Sequence, residues 1–233
     1  MPNWCTTRLH FYGEETIVID FYEKLTDWFN AKESIYEYEN NFGIQWLGNI
    51  LAYTFGKAFV KEHEHDIDLN FRGWIQDIDT FAEYNAEKKV WLFIATMESA
   101  WCPHMRMWYL VLEKLYGKDA DIHIAYISDE PNMSSYFIHD PDHIIYKSEN
   151  VYHVEAWDMN DRFGLEECDC KYEKKDLMEV LKDFFDIECT EDMLDDTDKL
   201  NEMIQEIIKE SGQPKGDCGF YVFKYRIAKK EDY

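Results

Sequence analysis

Two residues with nucleophilic and acid–base chemistry, Cys102 and His104, stand on either side of Pro103. Proline suits the first turn of a helix, and a helix N-terminus stabilises a thiolate, so the pair is a candidate for nucleophilic catalysis. The alternative is structural: Trp101 fills the core and Pro103 begins the helix. Because no third residue that would orient the imidazole can be named, we predict the structural role and no catalytic residue.

Two other groups of residues carry side chains that bind metals. The segment 62–66 (EHEHD) offers five ligands, but zinc sites draw their ligands from separated elements, and a solvated polar loop fits the segment better. Cys168 and Cys170 form a Cys-x-Cys pair, which Cys189 and Cys218 would complete only if the fold brought the four together. We therefore predict no metal and no cofactor, and zinc at the four cysteines stays an open alternative.

The sequence does not favour a phosphate or nucleotide site. Glu14 follows Gly13 at the start of the first expected helix, and a carboxylate there repels anions from the positive end of the helix dipole. Glycine-rich nucleotide motifs and a nucleophile elbow are absent from the sequence. Arg8, Arg72 and Arg106 fall on the expected sheet and its flanking helix, where we expect them to pair with carboxylates; a shared anion pocket is the alternative.

Charge is the strongest compositional feature of this 233-residue chain. Lys plus Arg number 24 against 48 Asp plus Glu, a formal net charge of −24, which argues against direct binding to nucleic acid or anionic lipid. Residues 155–202 hold 18 of the acids and 6 of the bases, so half of the net charge lies in about a fifth of the chain. Such a surface suits solubility, cations or a basic partner protein, and we predict the basic partner.

The acidic residues fall on two expected helices. In the first, Leu177, Leu181, Phe184 and Phe185 form one apolar stripe, so the carboxylates point away from the core. Like charges at i,i+4 weaken a helix, so a surface kept this negative indicates a function. DNA presents a charge every ~1.7 Å along its axis, and a dense carboxylate ridge mimics that density. The predicted partner-binding residues are Glu179, Asp183, Asp186, Glu191, Asp192, Asp195, Asp196 and Asp198.

The elements that position these residues follow from the spacing of apolar side chains. The run 90–97 is short and rich in strand formers, which predicts a central strand covered on both faces. Helical spacing over 105–115, ended by Gly117, and alternation over 122–128 predict a helix and another strand. The elements expected before them are a strand at 3–12, a helix at 17–29, an insertion at about 31–70 with a short helix in 42–55, a strand at 71–81 and a turn at 84–87. This β-α-β-β-α-β order is ferredoxin-like.

The second half of the chain predicts additional antiparallel strands and then helices. Short strands at 135–139, 143–147 and 151–156 are separated by turn signals and would widen the sheet. The elements expected after them are a loop at 159–172, two helices around 177–185 and 200–208, the second ended by Gly212, and a final strand at 220–227. We therefore expect two domains, an α+β domain at 1–157 and an acidic helical extension with a final strand at 158–233.

Two short motifs carry a family resemblance. The opening MPNWC, leading into LHFYG at 9–13, and the turn AWCP at 100–103 resemble the YubB-type (Api-like) ferredoxin-like proteins of phages, prophages and plasmids. Three positions depart from the family's pattern: Cys102 and His104 stand where the family prefers Ser and Pro, and Thr7 replaces an Asn. The resemblance covers about 1–157 and leaves 174–212 without a counterpart. It implies a ferredoxin-like fold and a mobile-element origin, and no established activity.

The expected fold class is α+β, with a ferredoxin-like core, extra antiparallel strands and an acidic C-terminal helical subdomain. No apolar run approaches the ~20 residues that span a bilayer, and no secretion signal begins the chain, so we expect a protein of the bacterial cytoplasm without membrane contact. The function expected is that of a non-enzymatic phage or plasmid accessory protein. It would act as an acidic inhibitor or DNA mimic that binds a basic, nucleic-acid-handling defence protein. The alternative is a small-molecule-binding protein or enzyme that uses the sheet face near Trp101 and His104.

Overall fold

The chain forms a mixed α+β structure with antiparallel strand pairing, as predicted. The computed structural model describes residues 3–36, 43–66, 69, 71–130, 135–146, 151–159, 168–211 and 218–227, and these contain seven helices. Two compact units divide the chain, Met1–Lys147 with Ile227–Tyr233, and Ser148–Arg226. None of the helices in the described ranges combines the length and the apolar character that crossing a membrane requires.

The first unit is built on a seven-stranded sheet. Its strand β1 (Trp4–Gly13) pairs antiparallel with β4 (Val90–Ala100) on one side and with β5 (Ile122–Glu130) on the other. The strands beyond them are β2 (Gly73–Ile78) and β3 (Glu83–Asn85), which pair with β4, then β6 (Ser135–His139), which pairs with β5, and β10 (Arg226–Ile227) beside β6. The order across the sheet is therefore β10-β6-β5-β1-β4-β2.

Helices pack on one face of this sheet and form the main core. The helices are α1 (Glu15–Phe29), α2 (Leu47–Phe55), α3 (Lys57–His63) and α4 (Met105–Tyr116). Aromatic rings dominate the contact: the ring of Phe11 lies 5.1 Å from Phe93 and 5.3 Å from Trp108, and all three side chains are fully buried. Gly117 caps the C-terminus of α4 and ends the helix, as predicted. The φ of Gly117 is 90°, a value that glycine adopts without strain.

A smaller apolar cluster covers part of the other face, so the prediction that the central strand is covered on both faces holds only in part: Leu92 is buried there, whereas Ile94 and Thr96 are half-exposed. The cluster contains Tyr12, Leu92 and Ala125 from three strands, together with Ile145. Ile145 belongs to a segment that we predicted to be a strand at 143–147, and this prediction is wrong for the described part, 143–146. The Asp140 carboxylate accepts the backbone N–H groups of Ile145 and the next residue at 2.7 and 2.6 Å, so those amides cannot join a ladder.

The second unit has its own three-stranded antiparallel sheet. Strand β7 (Val151–Trp157) lies between β8 (Cys168–Glu173) and β9 (Gly219–Lys224). The helices of the unit are α5 (Lys174–Phe185), α6 (Glu191–Asp195) and α7 (Thr197–Glu210). On the side away from β7, the Asn201 side chain of α7 both donates to and accepts from the backbone of Val222 at 2.8 Å. The helix thus pairs backbone groups that an edge strand would otherwise leave open.

The C-terminal predictions need three corrections. Strand β7 does not widen the first sheet, because its inward residues Tyr152, Val154 and Ala156 pack in the core of the second unit. The expected loop at 159–172 contains strand β8 from position 168 onward. The expected final strand is split, with β9 in the second sheet and β10 in the first. Helix α7 ends at Glu210, and the predicted stop at Gly212 lies outside the described residues.

Candidate functional site

The eight predicted partner-binding carboxylates, hereafter the acidic surface, are all solvent-exposed. Their exposure follows from the amphipathic helix that carries the first of them: Leu177, Leu181 and Phe185 of α5 are buried, and Phe184 packs partly against the same core. A helix with one stripe in the core must direct its remaining side chains to solvent. The members of the acidic surface are Glu179, Asp183 and Asp186 on or after α5, Glu191, Asp192 and Asp195 on α6, and Asp196 and Asp198 around the start of α7.

Lysines already neutralise half of the acidic surface. The pairs are Lys175–Glu179, Lys182–Asp186, Lys174–Glu191 and Lys224–Asp195, with nitrogen–oxygen distances of 3.7, 2.6, 2.7 and 2.6 Å. The lysine ammonium groups hold the pKa values of Asp186 and Asp195 below the usual range of an aspartate, through hydrogen bonding and charge. A basic partner would have to displace these internal partners first.

The other four carboxylates have no ion pair within the described parts of the chain. They are Asp183, Asp192, Asp196 and Asp198. Asp196 also caps the N-terminus of α7, because its side chain accepts a hydrogen bond from the backbone N–H of Lys199 at 3.2 Å. Three of the four unpaired carboxylates of the acidic surface therefore lie at 192–198, where α6 meets α7.

A pocket of about 220 Å³ opens at this same place. Three apolar side chains, Met193, Leu200 and Met203, contribute to its lining, together with Asp192, Asp196 and Lys199. The pocket could not be predicted from the sequence, because its apolar residues come from two helices and none of them is unusual by itself. The neutralising pairs were partly foreseeable: Lys182 and Asp186 have i,i+4 spacing, whereas Lys224 and Asp195 meet only through the fold.

The rival candidate site, hereafter the Trp101 corner, consists of Trp101, Cys102 and His104 in the turn between β4 and α4, together with Arg72, which immediately precedes β2. The prediction that Trp101 fills the core is wrong, because its side chain is 51% exposed. The backbone there has a φ of 68°, and the Arg72 guanidinium lies 5.0 Å from the centre of the indole ring. Trp108 of α4, which is fully buried, fills the core instead.

Cys102 and His104 are close, but their protonation opposes catalysis. The Cys102 Sγ lies 3.9 Å from the His104 Nδ1. Burial raises the pKa of the Cys102 thiol and lowers the pKa of His104 to about 4, so both groups stay neutral at pH 7. Burial therefore acts against the thiolate that a helix N-terminus by itself would favour. A hydrogen bond to the backbone of Arg72 offsets part of the effect of burial on the pKa of His104.

The segment 62–66 does not converge on one point. His63 stacks on Phe59 with 4.1 Å between ring centres, and Glu64 accepts a hydrogen bond from the Tyr36 hydroxyl at 3.2 Å. Its first two residues belong to α3, so the predicted loop begins later than expected. Within the ranges that the structure describes, no group of three or more His, Cys, Asp or Glu residues has the geometry to hold a metal ion.

The four cysteines considered for zinc have different environments. Cys189 and Cys218 are buried in the core of the second unit, whereas Cys170 is half-buried on β8. The Cys168 side chain lies outside the described part of the structure, so zinc at all four positions stays untested. No family model, curated protein or solved structure matches this chain.

Proposed function

We propose that this protein is a non-enzymatic inhibitor or DNA mimic that binds a basic, nucleic-acid-handling protein through its acidic surface. The observation that carries the proposal is the exposed group Asp192, Asp196 and Asp198, which no lysine among the described residues neutralises. Charges held on helices cost little reorganisation when a cationic partner arrives, and they steer its approach.

Electrostatics favours a protein partner that itself binds nucleic acid. A channel that binds DNA has lysines and arginines arranged for a dense line of phosphates, so it also attracts a dense line of carboxylates. The chain's net charge of −24 adds long-range attraction for such a partner and repels nucleic acid itself. The predicted complex should weaken as salt screens these charges.

The proposed biological setting is the cytoplasm of a bacterial host, where the protein would be a phage or plasmid accessory factor directed against a defence protein. Its support is the resemblance of positions 1–5 and 100–103 to the YubB-type family. We also propose a ferredoxin-like core for the first unit, followed by an acidic C-terminal subdomain. The antiparallel order β5-β1-β4-β2, with α1 and α4 as the connecting helices, supports the ferredoxin-like core.

A pull-down from bacterial lysate tests the proposal. The immobilised protein is incubated at low salt and eluted by a salt gradient, and the eluted proteins are identified by mass spectrometry. We expect to capture basic nucleic-acid-binding proteins, also after nuclease treatment of the lysate, and we expect them to elute as the salt concentration rises. Retention only of acidic proteins, or of proteins that high salt does not release, would contradict the proposal.

A second function is favoured by the Trp101 corner. The exposed Trp101 ring, its positive φ and the nearby buried imidazole of His104 support a small-molecule site, because strained backbone clusters at functional sites. Recovery of one metabolite from the purified protein, lost in His104→Gln, would support a binding protein or enzyme. In that case the acidic surface would serve solubility.

A further inference from the structure

The pocket between α6 and α7 combines an apolar interior with a negative rim. Met193, Leu200 and Met203 supply the apolar surface, and Asp192 and Asp196 supply two carboxylates without ion pairs in the described residues. Its volume of about 220 Å³ is below the ~300 Å³ at which pockets for whole small molecules begin, so it suits one side chain. The combination calls for an occupant with a hydrocarbon stem and a cationic end.

We propose that this pocket receives an arginine side chain of the basic partner. The methylene stem of arginine packs on methionine and leucine, and the planar guanidinium at its end donates to carboxylate oxygens. Methionine side chains adapt their shape to such a stem. The inference rests on the proposed function and deepens it, because it converts a general attraction between charges into a specific anchoring contact.

Among the described residues that line the pocket, Lys199 is the one cation, and its charge opposes this occupant. Its side chain is exposed and makes no ion pair with any residue that the structure describes, so it can move toward solvent when the guanidinium enters. Its charge lowers the affinity for arginine in the protein as it stands. Lys199→Gln should therefore strengthen arginine binding, which a purely structural role of Lys199 would not explain.

The test uses a fluorescent peptide that contains three arginines separated by glycines, and matched peptides with lysine or neutral citrulline in their place. Binding is measured by anisotropy on the full chain. Met203→Trp fills the pocket without changing charge, and Asp192→Asn with Asp196→Asn removes the rim charge while keeping the cap of α7. The matched control is Glu206→Gln with Glu210→Gln, which removes two exposed charges from α7 outside the pocket lining.

We expect the arginine peptide to bind most tightly, and we expect Met203→Trp and the rim variant each to weaken it by about tenfold. The matched control should weaken it by less than about threefold, the effect of long-range charge alone. The methyl NMR signals of Met193 and Met203 in the unmodified protein should shift on adding the arginine peptide, a readout that does not depend on any variant folding.

Three results would overturn the pocket inference. The first is that Met203→Trp binds the arginine peptide as tightly as the unmodified protein does and the methionine methyl signals do not shift. The second is that the rim variant and the matched control weaken binding equally. The third is that the lysine peptide binds more tightly than the arginine peptide. In each of these, salt-dependent capture of basic proteins from lysate would leave the proposed function standing. Failure of that capture would remove the proposed function independently of the peptide result.

Discussion

Trp101 holds a backbone conformation that costs a residue with a Cβ about 1–2 kcal/mol, at a φ of 68°. Nothing in the sequence marks this position, because tryptophan usually signals a core and the left-handed region usually signals glycine or asparagine. The nearby Trp108 is fully buried and occupies the core in place of Trp101. The two tryptophans therefore allow a matched comparison at a single corner of the fold.

We expect Trp101→Ala to change the free energy of unfolding by less than about 1 kcal/mol, because an exposed ring leaves no cavity. Trp108→Ala should cost about 3–5 kcal/mol, because its ring is fully buried against Phe11 and other core residues. Urea denaturation of both variants measures the difference. Similar losses in the two would contradict the exposure of Trp101.

Stability should depend on pH through His104. Burial lowers its pKa from 6.5 to about 4, so between these values the unfolded chain binds a proton that the folded chain does not. The free energy of unfolding should consequently fall as pH falls from 6.5 toward 4, and it should level off above 6.5. His10, with a pKa lowered to about 3 by burial, acts in the same direction.

His104→Gln should reduce this slope, whatever it does to stability at neutral pH. The measurement is urea denaturation at several pH values, and His65→Gln is the control, because that ring is solvent-exposed in the folded protein. An unchanged slope in His104→Gln would show that its imidazole is not held neutral by burial.

At the scale of elements, apolar periodicity predicted most of the first unit and less of the second. Continuous or alternating runs indicated β1, β4 and β5, and helical stripes indicated α1, α4, α5 and α7. Strand β8 was missed although its sequence, CDCKYE, alternates Cys and Tyr with charged residues, because it contains no β-branched residue and half of its side chains are charged. Its pairing with β7 decides its structure. Strand β7 was predicted to join the first sheet but lies in the second, because the sequence of a short strand does not indicate which sheet it will join.

The contact between α7 and β9 shows how a polar side chain replaces a neighbouring strand. Asn201→Ala should leave the N–H and C=O of the buried Val222 without their side-chain partner, at a cost of about 1–3 kcal/mol. Gln205→Ala should cost less, because Gln205 donates a single hydrogen bond, to the Phe220 carbonyl at 3.1 Å. Hydrogen exchange of the Val222 amide measures the effect, and unchanged protection in Asn201→Ala would contradict it.

Of the candidate site, the sequence predicted which residues carry the charge but not which charges are available. Helical spacing alone placed the carboxylates of α5 outward, because the opposite stripe had to be apolar. The pairing of Asp195 with Lys224 depends on a strand 29 positions away, and the pocket depends on the angle between two helices. These are tertiary features, and the spacing of residues within one element does not encode them.

For the whole molecule, the central question is whether the negative charge acts through one binding surface or is spread over the protein as a general solubility feature. A diffuse charge serves solubility, and any removed carboxylate then has the same small effect. A binding surface instead makes the carboxylates at 192–198 matter more than equally exposed ones on the same helix. Two triple variants with equal charge changes separate these cases: Asp192→Asn, Asp196→Asn and Asp198→Asn against Glu202→Gln, Glu206→Gln and Glu210→Gln.

The most direct measurement is displacement of a fluorescent DNA duplex from a basic protein captured in the pull-down, followed by anisotropy as this protein is added. The unmodified protein and the Glu→Gln variant should displace the DNA at similar concentrations, and rising salt should weaken both. The Asp→Asn variant should need at least about tenfold more protein. Equal displacement by both variants, or none by the unmodified protein, would contradict DNA mimicry by the acidic surface.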